Sequence, residues 1–519
     1  MQSPRVPARR IVLPRPPAPV ASVRLPESAA AVRDRRRLRL ARLDWLLLLA
    51  VVATGTAYAV YGLRVYRTLH AAAFDLAFFD QILWNTAHGR WFETSYVAYN
   101  FLGQHFEPVL LPFAALYRLG AGPQTLIVAQ AAGAALAALP LYAAGRRLLP
   151  AGAAALLACA YLLTPALQRG VDFGFHPDLF EPLAAFGALA ALLWRRDRLF
   201  LLAFAALLLL KEDAFLVALA LGWIALLRGR RGLGLAAMAA ALLWGALVLG
   251  VAMPALRHGA GSDLAERYGY LGSQPATILS GALSHPDRVL SQLAAPAPAT
   301  AAFGLLASFA LLPLLAPEIL LAAVPAALVG LLSTHPPQRS LDLQYGAPVL
   351  ALIAIAALFG AARGAAWLQR PGPRTTRWPA HRLRANAASA LAAGALCAAL
   401  AAGFLRGPFP PERDAAGWRF ADDGSAAALA RVARLIPADA TLSAQTGLAP
   451  HLSQRRVQWE FPRLNEAEYV IVQDGGIRSS QSVLAGYDQA LAALPARGYD
   501  QIAIDGPLRL FRRQLKGGR

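Results

Sequence analysis

The sequence predicts a polytopic α-helical membrane protein of about eleven transmembrane helices with a small C-terminal α/β domain. Three observations predict it. The 519 residues are 57% hydrophobic and 15% charged, where a soluble domain carries about 25% charge. The apolar residues gather in runs between short charged turns. The arginines concentrate in alternate turns, as positive-inside topology requires.

Net charge is +20, with a pI near 10.8 and a mean hydropathy of +0.44. In a soluble protein such basicity would point to nucleic acid. Here the arginines separate apolar runs, so topology accounts for them and no nucleic-acid partner is expected. Only two lysines occur, Lys211 and Lys516. Cys159 and Cys397 lie in apolar runs and offer neither a disulfide framework nor a thiolate metal site.

Residues 1–43 are rich in proline and arginine, which predicts a disordered cytoplasmic tail. Its arginines Arg33 to Arg42 face the first span and suit anionic lipid. Residues 44–405 form the helical domain. Its candidate spans are Trp45–Tyr61, Thr125–Tyr142, Ala151–Leu167, Leu179–Trp194, Leu199–Leu210, Ala214–Leu227, Leu233–Met253, Thr300–Leu315, Ile319–Leu332, Ala347–Ala361 and Ala387–Leu405. Several are shorter than the roughly 20 residues a span needs. The pair around Lys211–Asp213 reads as two spans or as one broken helix.

With the N-terminus inside, arginines fill the cytoplasmic turns at 146–147, 195–198, 228–231 and 363–384. The turn at Glu318 has none. The opposite face receives most acids and histidines, and the segment 406–519. That segment alternates strand and helix signals and reads as a small extracytoplasmic α/β domain of Rossmann-like architecture. It lacks Gly-x-Gly-x-x-Gly, so no nucleotide is assigned. The protein is therefore expected in the cell membrane as a multi-pass protein.

The first outer loop holds Asp75, Asp80, His105 and Glu107. Asp75 and Asp80 would stand roughly 140° apart on a helix, not on one face. Asp80 follows Phe78 and Phe79 at an apolar boundary, where a carboxylate is costly unless paired or functional. Trp84, Trp91, Tyr96 and Tyr99 read as an interface belt. His105 heads an apolar segment that can dip into the bilayer, and suits a metal ligand, a base or a structural role. The second loop packs Arg169, Asp172, His176, Asp178 and Glu181 together. Acids there suit a helix N-terminus. With His176 they also suit Mg²⁺ or Mn²⁺, so His105, Glu107, Asp172, His176 and Asp178 are the candidate metal ligands. Lys211, Glu212 and Asp213 lie between two apolar runs, as an exposed hairpin or as a phosphate-facing cluster. Arg339 and Tyr345 precede the run at Ala347 and, with Lys211, Arg169 and Glu212, complete a candidate phosphate-binding set.

The motifs FDLAFFDQILWN, HFEPVLLPFAALY, FHPDLFEP, KED and QYGAPVL, with AEYVIVQD near the end, resemble the membrane family known as domain of unknown function 2079. That family is similar to the GT-C superfamily of glycosyltransferases, which use polyprenyl-phosphate sugars. The resemblance implies a GT-C-like fold, and a first-loop acid acting as base or metal holder. By position that role falls on Asp75 and Asp80. It implies a polyprenyl-phosphate sugar donor and a glycan, lipid or protein acceptor. Two other readings stay open: a transporter or lipid flippase, and a non-catalytic envelope assembly protein.

Overall fold

The computed structural model describes residues 42–368, 380–409, 423–478 and 486–514. Contacts divide the chain into Met1–Arg37, outside the described residues, and Leu38–Arg519, described below. Of the N-terminal tail expected over 1–43 all but its last two residues, and residues 369–379 of the turn expected at 363–384, also lie outside the described residues.

Each of the eleven apolar runs folds as helix, but few are long enough to cross a bilayer. Five helices have the length and apolarity: Arg42–Arg67, Pro123–Gly145, Arg231–Leu256, Pro336–Trp367 and Ala385–Arg406. Two further pairs are bent. Ala151–Leu163 meets Pro165–Asp172 at 42°, and Pro286–Leu293 meets Pro296–Ala307 at 64°. A proline opens the second member of each pair. It has no N–H for the preceding turn and its ring crowds that turn, so the axis breaks there. The runs at Glu181–Leu193, Asp197–Leu208, Phe215–Leu227 and Pro317–Leu331 hold 12 to 15 residues. At 1.5 Å per residue they rise about 18–22 Å, short of the ~30 Å hydrocarbon core. The expected count of eleven full spans is thus not confirmed: among the described residues, five helices, or up to seven with each bent pair taken as one, are long and apolar enough to cross.

The arginine turns meet at one end of the bundle. Tyr142 donates to Asp44 at 2.6 Å, Trp194 donates to the Ala143 carbonyl, and the Arg147 guanidinium lies over the Trp194 ring. Arg230 pairs with Asp197 at 2.6 Å. That pair decides the Lys211 question. The helices on either side of Lys211 start and finish at the same end, so they form a hairpin and not one broken helix. Glu318, whose turn lacks a nearby arginine in sequence, is bracketed by both guanidinium nitrogens of Arg363.

At the other end the first loop and the C-terminal segment form one body. The loop holds a short distorted helix at Ala73–Ala77, the helix Phe78–Ala87 and an apolar helix at Leu111–Tyr117. The C-terminal segment folds into a five-stranded sheet of order β2-β1-β3-β5-β4. Its strands are β1 (Leu442–Ala444), β2 (Gln458–Glu460), β3 (Tyr469–Gln473), β4 (Tyr499–Asp505) and β5 (Leu508–Arg513). β1 runs parallel to β2 and β3, whereas β5 runs antiparallel to both β3 and β4. The Rossmann-like expectation is thus corrected. A two-residue turn at Gly506-Pro507 closes β4 and β5 into a hairpin, where parallel strands would need a crossover.

One apolar core runs through both parts. It joins Leu69, Phe78, Phe79, Tyr96 and Phe101 of the loop to Leu429, Leu442, Leu448, Ile471 and Leu510 of the sheet domain. Ser95 Oγ donates to the Gln458 carbonyl at 2.5 Å and accepts from the Gln458 N–H at 2.9 Å. The His451 ring stacks on Tyr66 at 4.0 Å and bonds the Tyr66 carbonyl. Burial lowers the His451 pKa to about 4 and keeps the ring neutral.

The contact is closest at Gly447. A Cβ there would lie 2.1 Å from the Leu69 carbonyl oxygen, backbone that cannot rotate away. Gly447→Ala is expected to force the two parts apart and cost about 1–3 kcal/mol, as overpacking does. A lowered melting temperature and earlier proteolytic release of the C-terminal part would show it. An unchanged melt would refute the close fit.

Candidate functional site

Three clusters of buried polar groups lie at the end that carries the first loop. The first is built around Lys211. The turn Lys211-Glu212-Asp213 points inward, and Lys211 and Glu212 are 6% and 5% exposed. The exposed-hairpin reading therefore does not hold. Lys211 Nζ donates to Asp178 Oδ1 at 2.6 Å. Glu212 accepts from His105 Nδ1 at 2.9 Å and from the Phe106 N–H at 3.0 Å. Such charges survive burial only because each is paired. Asp178, Lys211 and Asp213 line a cleft with Gln338 and Tyr345. Leu216, Ala326, Val329 and Pro348 give it an apolar wall. Lys211 Nζ and the Arg267 guanidinium both lie 5.9 Å from the Tyr345 ring centroid. Arg267 also donates to Gln338 at 2.8 Å.

The second cluster is Asp75 with His176. His176 Nε2 meets Asp75 Oδ1 at 3.0 Å, and both residues are buried. Asp75 has φ +99° and ψ −78°, a strained backbone for a residue with a Cβ. Strain of this kind costs roughly 1–3 kcal/mol and collects at functional sites. Asp75 Oδ2 and His176 Nδ1 are buried without a hydrogen-bond partner. The Phe173 ring stacks on His176, and Phe79 meets it edge-on.

The third cluster centres on Asp80, which is fully buried. Tyr117 and Ser453 each donate to it at 2.6 Å, and Gln454 at 3.4 Å. Burial raises its pKa to about 6, against the pull of those three donors. Both of its oxygens are occupied, so Asp80 ties the first loop to the C-terminal domain.

The structure divides the sequence-named residues among these places. Asp75 and His176 come together, and so do Lys211, Asp178 and Tyr345, and His105 and Glu212. Glu107 is buried with one oxygen unpartnered. Arg169 pairs with Asp342 at 2.6 Å and donates to the Arg406 carbonyl. Arg339 stays outside the cleft lining, its Nε buried and unpartnered. Asp172 accepts from Tyr61 at 2.7 Å. The proposed metal set His105, Glu107, Asp172, His176 and Asp178 is therefore split among separate pairs. Among the described residues, no group of three or more His, Cys, Asp or Glu side chains is arranged to hold a metal ion. These described residues do not fit the expected Mg²⁺ or Mn²⁺ site.

Sequence reading passed over Gln130 and Gln338. A glutamine alone in an apolar run was the available signal for Gln130. Gln338 sits in a polar loop and gave none.

The family described as "Predicted membrane protein (DUF2079)" matches residues 65–501. The chain belongs to that family. No curated protein matches it in sequence. Among solved structures, ArnT from Cupriavidus metallidurans bound to undecaprenyl phosphate is similar at TM-score 0.45 and 14% identity, over 92% of this chain and 99% of that one. The same protein in the apo state gives 0.45 and 15%, over 90% and 97%. The Archaeoglobus fulgidus oligosaccharyltransferase in complex with zinc and sulfate gives 0.40 and 16%, over 81% and 68%.

Asp80 supports a pH prediction for the DUF2079 chain. Its folded pKa, about 6, lies above the ordinary 3.8. A carboxyl shifted this way favours the folded state while protonated, so stability falls as pH rises from about 4 through 6. The shift corresponds to about 3 kcal/mol. Asp80→Asn cannot ionise and is expected to flatten stability across that window. Melting temperatures at pH 4 to 7 would check this. An equal slope in variant and wild type would remove Asp80 as its source.

Proposed function

We propose that this protein is a membrane glycosyltransferase that takes its sugar from a polyprenyl-phosphate donor. The observation that carries the reading is the segment His176-Pro177-Asp178. Two residues apart, His176 turns to Asp75 and Asp178 turns to Lys211. A basic pair with a spare lone pair on each partner thus stands beside the cleft that Lys211 lines together with Asp178 and Asp213. The similarity of the DUF2079 family to GT-C enzymes supports the same reading. By the arginine distribution, this face is extracytoplasmic.

The chemistry follows from the parts. His176 Nδ1 or Asp75 Oδ2 takes the proton of an acceptor hydroxyl. The acceptor oxygen then bonds the sugar's anomeric carbon, and the bond from that carbon to the phosphate oxygen breaks. Polyprenyl phosphate leaves with the electron pair. Lys211 has three N–H donors and spends one on Asp178, so two remain for phosphate. Arg267 supplies a second cation across Tyr345. The apolar wall of Leu216, Ala326 and Val329 suits the start of the lipid chain. Both base atoms are buried.

The test is transfer of labelled sugar from polyprenyl-phosphate donors by membranes carrying wild type or variants. Asp75→Asn is expected to lose about 10²–10⁴-fold, the worth of a positioned base. Lys211→Met is expected to weaken donor binding and destabilise the fold by about 3–5 kcal/mol, because Asp178 is left buried and alone. Asp80→Asn should keep transfer within about threefold, since an exchange away from the reacting atoms is expected to alter the barrier by under 1 kcal/mol. Chelation should leave transfer intact. Full transfer by Asp75→Asn would remove the base assignment. No transfer from any such donor by folded wild type would sink the transferase reading in favour of transport or envelope assembly.

A further inference from the structure

The geometry points to Gln130 as a positioning residue that sets His176 against Asp75. Gln130 lies in the helix Pro123–Gly145, is 1% exposed, and interrupts an otherwise apolar run. A primary amide buried there is costly unless both of its ends are satisfied. Both ends are spent on one turn. The Oε1 accepts from the His176 N–H at 2.6 Å, and the Nε2 donates to the Gly174 carbonyl. The side chain thus brackets residues 174–176 as a neighbouring strand would. Gly174 has φ +101°, a conformation side chains resist, and follows the end of the helix Pro165–Asp172, where a glycine commonly stops the helix. Between the two anchored residues, Phe175 is fully buried and meets Phe79 and Phe113 edge-on. With the backbone pinned at both sides, the His176 ring has one direction left, between Phe173 and Phe79 toward Asp75.

Gln130 touches neither imidazole nor carboxylate. It acts through the His176 backbone, and a membrane helix thereby fixes the position of a loop residue. An apolar residue of the same length would keep the packing and free the turn. The kinetic part of this inference rests on the transferase reading. The structural part does not.

The experiment is a double-mutant cycle on the full-length protein in detergent, read as melting temperature. Asp75→Asn, His176→Phe and the double variant are made in wild type and in a Gln130→Met background. Contacting residues are non-additive, and residues out of contact add. Wild type should show non-additivity between Asp75 and His176, and the Gln130→Met background should lose it. Tyr161→Phe removes a different buried hydrogen bond to the same helix, at the Ala134 carbonyl, and should leave the non-additivity in place. If Gln130→Met does not fold, Gln130→Leu, which likewise offers neither donor nor acceptor to residues 174–176, is read by the same criterion. Undiminished non-additivity in the Gln130 background would overturn the assignment. In the transfer assay, Gln130→Met should lower kcat about tenfold or more with donor KM within about twofold, a split that uniform loss of fold does not give. Wild type without transfer would end the transferase reading, and the stability cycle would still decide the clamp.

Discussion

The pairing of Lys211 with Asp178 is the constraint on which the rest of this end of the molecule depends. An ammonium taken out of water is tolerated only against a well-placed counter-charge. Meeting that demand brings the turn between two short helices onto the start of a third, and Asp178 carries the preceding His176 with it. The Pro177 between them fixes φ, so a shift in one partner is felt by the other. His176 then reaches Asp75, whose own backbone is held in a sparsely allowed conformation. The first loop, the second loop and the Lys211 hairpin are in this way assembled by one histidine–carboxylate hydrogen bond at 3.0 Å and one ion pair at 2.6 Å.

The C-terminal domain completes the assembly from above. Its sheet contributes to the loop's apolar core, and Ser453 and Gln454 supply two of the three donors to Asp80. Asp80 and Asp75 are five residues apart and serve different ends. One has every oxygen occupied and is sealed. The other keeps one oxygen unpartnered and sits beside a histidine that also keeps one nitrogen. Environment separates the two carboxylates where residue type does not.

Much of the helical architecture was legible because hydrophobic runs report helices directly. All eleven runs are helical. Their depth was less legible, since a run of twelve apolar residues looks the same in a short helix as in a truncated span. All five strands were visible as β-prone segments, the last two around 502–504 and 508–511, but the antiparallel direction of those two was not, because strand propensity does not encode direction. At the site, the residue types were visible and their partners were not. His105 and His176 both read as ligands, yet each is occupied by a carboxylate from another loop, over 100 residues away in the chain. The buried role of Asp80 depended on Ser453, whose hydroxyl gives no signal in a polar segment.

The placement of charge also bears on transport. A carrier needs ionisable groups that can be reached from both faces in turn. Here the Lys211 cluster draws its partners from loops of one end only: His105 from the first, Asp178 from the second, and Gln338 and Tyr345 from the segment before Ala347. The far end is closed by Tyr142 on Asp44, Arg230 on Asp197 and Arg363 on Glu318. Helices of 12 and 13 residues flank Lys211 and rise only about 18–20 Å, less than the ~30 Å hydrocarbon core. A cleft whose polar lining comes from one end, with an apolar wall beside it, supports the proposed lipid-phosphate donor held at one leaflet over a solute passed between two compartments.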